Sequence, residues 1–459
     1  PDADDIVYIR NATRNPEISA NEEIEDLVLK SGAELDVLFD GSIIVNGDFT
    51  NSGVVTLNSQ SDQFSSIVVD GTSTGEIVYK RFVADEGADE WDLIGSPVEG
   101  LSIDDFVSSN ASLANHNNQY GIGVFSNDGN IDTAAAMYTN YTTSSVGDAG
   151  DFVSGQGYSM ATDENVSPGT SLDFTGSVLT TDVSEIGIDD NSLNAPILGK
   201  WNLVANPFPS YINANTNANP DANFLSENED NLHPAYAYVY GYNESGSFDV
   251  YNQFNSPVYI APGQGFFVAS DDSSGNTITF TKEMRTVNGS DDFIAGDLEE
   301  NIEVVLRLLH GTEEIEETKV YFKSGLSLGL DIGYDAGNFN QNAAIMSRLP
   351  ENDEGHGMII NAVDVNHIIE GCVIPLVINQ SAGQEFKVNL HTSTIYESNI
   401  YLEDAEEGTM TDLKAGDFTL NPVGNLEGAG RFFLLITSNT MGSENVSTSM
   451  LNAYKQVNA

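Results

Sequence analysis

In SNDGNID, residues 126–132, Asp128, Asn130 and Asp132 occupy alternate positions around a glycine. Hard oxygen ligands at that spacing can turn inward on one cation, which is how a D-x-N-x-D calcium loop begins. An EF-hand would complete the cage with a bidentate Glu, but the position where it should fall is Thr139. The stretch is therefore no EF-hand. It reads either as a looser Ca²⁺ site or as a solvated hairpin turn. IDDNS at 188–192 and LEDAEEG at 402–408 are cation candidates of lower rank.

Catalytic patterns are scarcer. His116, His233, His310, His356, His367 and His391 show neither H-E-x-x-H nor another paired spacing that holds zinc. GLSLG at 325–329 matches G-x-S-x-G, whose serine needs a helix after it to supply oxyanion donors. The residues after this motif, LDIGYDAG, are glycine-rich and without helical periodicity, so a nucleophilic role for Ser327 is not expected. Carboxylate pairs suited to glycoside hydrolysis are so abundant that none is informative. No P-loop or dinucleotide fingerprint occurs either. The expectation is a protein without enzymatic activity or an organic cofactor, with Ca²⁺ as the candidate ion.

With 70 acidic against 16 basic residues, the net charge is −54. Such a surface repels nucleic acid and anionic membrane, excluding both as partners, and it attracts divalent cations or tolerates high salt. No stretch approaches the ~18 apolar residues of a membrane span, so no membrane insertion is expected. A hydrophobic content of 40% is nevertheless enough to bury real cores, and 459 residues suggest roughly three domains. Cys372 is the single cysteine and cannot form an internal disulfide; its setting in GCVIPLVI marks a buried thiol. The chain opens at PDADD, as expected of a mature, processed or trimmed chain.

The elements that must carry these residues are strands, and the predicted fold class is all-β. Residues 1–80 hold short alternating apolar runs punctuated by Gly32, Gly41, Gly47, Gly53 and Gly71, which suggests a small stack of β-rungs or a sheet of short strands. Residues 81–185 and 186–295 read as two copies of one β-module. WDLIGSP at 91–97 is matched by WNLVANP at 201–207, VSGQGYSMA at 153–161 by APGQGFFVA at 261–269, and SLDFTGS at 171–177 by TITFTKE at 277–283. Three landmarks recur in one order with slightly drifting spacing, as when strands are kept and loops vary. Each Trp opens a buried strand that a Pro ends, and each G-Q-G is a tight turn with φ > 0. Both tryptophans are expected to be core.

Residues 296–440 hold strand-like runs such as IEVVLRLL, CVIPLVI and RFFLLIT, joined by polar turns, and predict a β-sandwich, jelly-roll-like. Residues 441–459 read as a tail or linker. AYAYVYGY at 235–242 would, by strand alternation, set Tyr236, Tyr238, Tyr240 and Tyr242 on one face. If covered, that face is core or interface; if open, it could stack on sugar.

Taken in order, WNLVANPFPS, APGQGFFVA, VYF, GYDAGNF, IYLEDAEEGTMTDL and GRFFLLIT resemble secreted proteins of Bacteroidetes exported by the type IX secretion system. The resemblance covers most of residues 20–440 and implies an extracellular or outer cell-surface location. In that family a C-terminal sorting domain follows the sandwich, about where this sequence stops. It also draws attention to DTA at 132–134, similar to an O-glycosylation acceptor, which makes Thr133 a candidate glycan site.

Two function classes are consistent with these features. The first is a non-catalytic structural or adhesive surface protein, self-assembling into a filament or matrix through added strands, with residues 1–20 and 441–459 as contact segments. The second is a carbohydrate-binding module protein accessory to polysaccharide degradation. Self-association or an extracellular glycan or surface is therefore the expected partner. The acidic excess generates a prediction: melting temperature rises with salt, and rises further with millimolar Ca²⁺ if Asp128 and Asp132 form a site. Equal responses to Ca²⁺ and Mg²⁺ at matched ionic strength would reduce the effect to screening.

Overall fold

The computed structural model describes residues 1–87, 91–127, 137–196, 198–242, 248–253, 255–273, 275–289, 302–396 and 398–438. The fold is all-β, and its described helices are short: α1 (Ile103–Ser109), α2 (Phe224–Asn228) and α3 (His367–Glu370). It divides into two compact units, Pro1–His233 with Tyr238–Asp297, and Pro234–Ala237 with Leu298–Ala459.

The first unit starts as a three-faced parallel β-solenoid. Its rungs are β1 (Ile6–Ile9), β2 (Glu17–Ile18) and β3 (Asn21–Ile24); then β4 (Asp26–Leu29), β5 (Glu34–Val37) and β6 (Ser42–Val45); then β7 (Phe49–Asn51), β8 (Val54–Asn58) and β9 (Ser66–Val69). β10 (Ser73–Thr74) and β11 (Glu76–Ala84) begin a fourth. Each strand pairs in parallel with its equivalent one rung on, as Leu27 beside Phe49 and Leu35 beside Val55. Alternation then stacks Leu27, Leu35 and Ile43 of one rung on Phe49, Val55 and Ile67 of the next, all at most 2% exposed. The corners are tight: a Cβ on Gly71 would lie 2.4 Å from the Gly47 carbonyl oxygen of the rung below. Here a stack of rungs, rather than one sheet of short strands, is what the glycine spacing encodes.

The two modules share one topology. In the first, β12 (Asp92–Ile94), β13 (Asn115–His116), β14 (Gln119–Phe125), β15 (Tyr138–Thr142) and β16 (Tyr158–Met160) form a sheet in which β16 lies between β12 and β14, and β15 pairs with β14. β17 (Gly169–Ser177) then pairs antiparallel with β11. The second module has β18 (Val183–Ile188), β19 (Trp201–Ala205), β20 (Tyr211–Asn213), β21 (Val239–Tyr242), β22 (Phe248–Tyr251), β23 (Tyr259–Ile260), β24 (Gly265–Ala269), β25 (Asn276–Phe280) and β26 (Arg285–Thr286). Its sheet runs β19-β24-β21-β22, and β25 pairs antiparallel with β18. Strand for strand, β12-β16-β14-β15 matches β19-β24-β21-β22, and the pair β11–β17 matches β18–β25. The repeated unit thus opens with β11 and β18, slightly upstream of the boundaries read from the landmarks.

A further correspondence was not legible in advance. α1 and α2 each come after the Trp strand in chain order, and each is closed by an Asn, Asn110 as the cap of α1 and Asn228 as the last residue of α2. The Asn110 amide donates to the carbonyls of Phe106 and Asp173, and its oxygen accepts the Asp173 N–H. Asn228 does the same with Phe224 and Thr279. The phenylalanines one turn earlier stack on equivalent partners, Phe106 on Phe174 and Phe224 on Phe280, both tilted by 36°.

The G-Q-G turns explain why the Trp motifs recur in pairs. Gly155 and Gly263 have φ of +84° and +68°, as the turn requires. Each turn docks on the other module's Trp strand: the Gly95 N–H donates to the Gly263 carbonyl at 2.8 Å, and the Ala205 N–H to the Gly155 carbonyl at 2.9 Å. Bridges Ile94–Gln264 and Gln156–Val204 complete the exchange. Gly95 and Ala205 hold equivalent positions and face each other; a Cβ on Gly95 would lie 2.4 Å from that of Ala205. Only one of the two copies can carry a side chain there. The small polar residue before each Pro is a local clasp. The Asn206 amide donates to the Ser210, Ile260 and Ala261 carbonyls, and the Ser96 hydroxyl to the Val98 carbonyl.

Among its described residues the second unit is built on one sheet of eleven strands, β27 (Glu303–His310), β28 (Glu313–Lys323), β29 (Ala336–Gly337), β30 (Ile345–Ser347), β31 (Met358–Asp364), β32 (Cys372–Ile378), β33 (Phe386–Ser393), β34 (Ser398–Asp404), β35 (Thr409–Asp412), β36 (Phe418–Leu420) and β37 (Phe432–Ser438). Inward residues from both halves meet in one core, Leu306 and Val388 with Ile374, Leu402 and Leu434. Cys372 is in that core, and burial pushes its thiol up to about 12.

Two sequence expectations need correction. Trp201 is buried at 1% exposure and meets Tyr240 edge-on at 4.6 Å, but Trp91 is only half-buried. The reason is register: β19 starts at Trp201, whereas β12 starts at Asp92 and leaves Trp91 outside the ladder. The tyrosine run is also not one strand. Pro234–Tyr236 is a 3₁₀ turn and β21 starts only at Val239, so alternation does not hold across it.

Two outcomes are expected. Trp201→Ala should cost about 3–5 kcal/mol in denaturant unfolding, and Trp91→Ala clearly less. Gly95→Ala should cost about 1–3 kcal/mol by overpacking, and adding Ala205→Gly should recover part of that loss. Additive effects in that double-mutant cycle would contradict the face-to-face placement.

Candidate functional site

The two ends of the solenoid are finished differently. At the far end β17 adds to β11 along its full length, from Glu76 opposite Ser177 to Ala84 opposite Gly169. The Ile67 N–H on β9 donates to the Pro209 carbonyl at 2.8 Å, and Arg285 donates to the Val69 carbonyl and pairs with Asp70. Arg81, at 1% exposure, closes the remaining space by donating to the Pro262 carbonyl and lying over the Phe64 ring at 4.1 Å.

At the near end, β1, β2 and β3 are the terminal strands of their three sheets, each paired on one side only among the described residues. They frame a cavity of about 330 Å³ whose lining includes Val7, Ile9, Ile18, Ile24, Leu27 and Leu35. One rung deeper, Leu29 and Val37 are fully buried, whereas Val7, Ile9 and Ile18 are only partly covered. Ile6 and Tyr8, alternating with them, stand 50% and 56% exposed on the outer face. An unpaired parallel edge around an apolar mouth is a template for strand addition. Residues 1–20, the polar end expected from sequence as a contact segment, carry the first two strands of this framework, β1 and β2. The alternation in IVYI was the available signal. Residues 441–459, the other expected contact segment, lie outside the described residues.

Asp128, Asn130, Asp132 and Thr133 also lie outside the described residues. Of the lesser acidic loops, 402–408 is internally committed. Asp404, at 1% exposure, receives both Nε and Nη2 of Arg431 at 2.9 and 2.7 Å, and Arg431 also reaches Glu406. The carboxylate has a permanent cation of its own. In 188–192, Asp190 accepts the Ser192 N–H while Asn127 and Asn202 hold the Asp189 backbone.

Ser327 is exposed, and its hydroxyl donates to Asp331 at 3.0 Å. Bends and turns come after it rather than a helix, so the oxyanion donors of a nucleophile elbow are not supplied there. Asp331 also donates its N–H to Asp335, which is buried with its other oxygen on the Ala362 N–H; burial raises the Asp335 carboxyl to about 7. Tyr236, Tyr238 and Tyr240 are fully buried and Tyr242 half-buried, so this run offers no open platform for sugar. Tyr236 instead meets His356 through its hydroxyl at 3.2 Å. No described helix is long and apolar enough to cross a membrane.

No curated protein and no solved structure matches the chain. One family profile does, over residues 1–435, and by that match the chain belongs to a domain family of unknown function, DUF8693.

Proposed function

We propose that this chain is an extracellular, non-catalytic structural or adhesive surface protein that associates through the open end of its solenoid. The observation that carries the reading is the ring of β1, β2 and β3, each paired on one side only among the described residues, around a half-covered apolar mouth. The occupant is the same mouth on a second copy. Two solenoids meeting mouth to mouth oppose their strand directions, so their edges pair antiparallel, which is how β17 already finishes β11 at the other end. The resemblance to type IX secreted proteins supports the extracellular location. The duplicated modules and the charge of −54 suit a stiff, soluble spacer. That charge opposes self-association, so pairing strengthens as salt screens it.

Sedimentation velocity on the full chain tests the reading. Concentration-dependent dimers, favoured by salt, should form from the unaltered chain and be lost with Val7→Lys combined with Ile18→Lys, while melting temperature changes little. A chain that stays monomeric at high micromolar concentration in high salt would contradict it, as would a dimer indifferent to both lysines.

A further inference from the structure

Three side chains from distant segments converge just beyond the end of β11. Glu86 sits in the turn after the strand, His116 ends β13, and Asp163 caps the 3₁₀ turn Glu164–Val166. One ligand-capable atom from each lies within 4.8 Å of the other two, and His116 Nε2 is 2.5 Å from Glu86 Oε1.

The backbone holds this arrangement independently of the side chains. Thr162, fully buried, donates its N–H to the Ala84 carbonyl at 2.8 Å and accepts the Glu86 N–H at 2.9 Å. It also bridges to Asp85 on one side and Leu113 on the other. The next N–H, that of Asp163, donates to the Ser112 carbonyl at 2.9 Å. His116 is fixed as the last paired residue of a hairpin, opposite Gln119. The two turn residues, Asn117 and Asn118, both have positive φ, as a two-residue hairpin of this twist requires. The carboxylates are oriented too: Asp163 Oδ1 accepts the Asn165 N–H at 2.9 Å and its side-chain amide, and the Glu164 N–H reaches Glu86 Oε1 at 3.4 Å. The Glu86 side chain is 15% exposed, while that of His116 is 57% exposed and leaves one side open to solvent.

One imidazole nitrogen and two carboxylate oxygens, with an open side for water, make a mixed donor set. Calcium and magnesium take oxygen ligands, whereas an imidazole favours the borderline divalent transition metals. Three protein ligands plus water is a coordination that zinc accepts. We propose that Glu86, His116 and Asp163 form a binding site for a divalent transition metal of the zinc class. Bound there, the ion ties the last solenoid strand to the hairpin and turn of the first module. It acts as a staple at the sealed end, separate from the open mouth.

The test uses the full chain after chelator treatment. Zn²⁺ is titrated by calorimetry and Co²⁺ by visible absorption, because cobalt reports its coordination directly. One site per chain is expected. His116→Gln and Asp163→Asn should each weaken it by at least about tenfold, and Zn²⁺ should raise the melting temperature of the unaltered chain more than Mg²⁺ does at equal ionic strength. Circular dichroism of each metal-free variant confirms that it is folded. Should one not fold, Glu86→Gln replaces it in the same titration. Zinc binding unchanged by these substitutions would overturn the assignment by tracing the uptake to the general acidic surface, and so would an equal response to Mg²⁺.

Discussion

The first unit depends on a single close approach. Gly95 and Ala205, equivalent residues of the two modules, face each other so tightly that a second Cβ has no room. Around that point each module lends its G-Q-G turn to the other's Trp strand through a pair of matching backbone hydrogen bonds. Neither module completes its ladder alone, because the strand end that accepts the turn would otherwise leave its amide unpaired. Duplication is therefore structural before it is functional: the second copy finishes the first.

That mutual closure carries over to the solenoid. The strand that seals its far end, β17, belongs to the first module, and Pro209 and Arg285, which cover β9, belong to the second. One continuous apolar cluster runs from Ile24 in the solenoid to Val178 in the first module. The modules act as the cap that a parallel solenoid needs to stop its edges from templating further strands. The opposite end has no such cap among the described residues, where β1, β2 and β3 are the terminal strands of their sheets.

Much of this was legible in the residues. Close backbone approach admits only glycine, and a buried ring needs an aromatic, so the landmarks around Trp201, Gly155 and Gly263 appear twice in the sequence. The matched helix ends, FVSSN and FLSEN, carry the same kind of signal but are too short to stand out. Rung strands of two to five residues with corners of uneven length blurred the solenoid's period. Pro234 misled the reading of the tyrosines, because alternation cannot run through a 3₁₀ turn. Trp91 misled through register, since its strand starts one residue later than its twin. The cluster of Glu86, His116 and Asp163 was invisible for a different reason: its members share no local spacing and are brought together only by the ladder around Thr162. In the second unit, the YLED and GRF motifs prove to be two halves of one ion pair, Asp404 with Arg431.

If the open rung is the contact surface, association must bury its backbone before anything else. Amide hydrogen exchange followed as protein concentration rises reads this directly. Peptides covering residues 6–9 and 17–24 should become protected as the dimer fills, while β17 and β37 keep the protection they have in the monomer. Protection that grows elsewhere, with the first rung unchanged, would contradict the account.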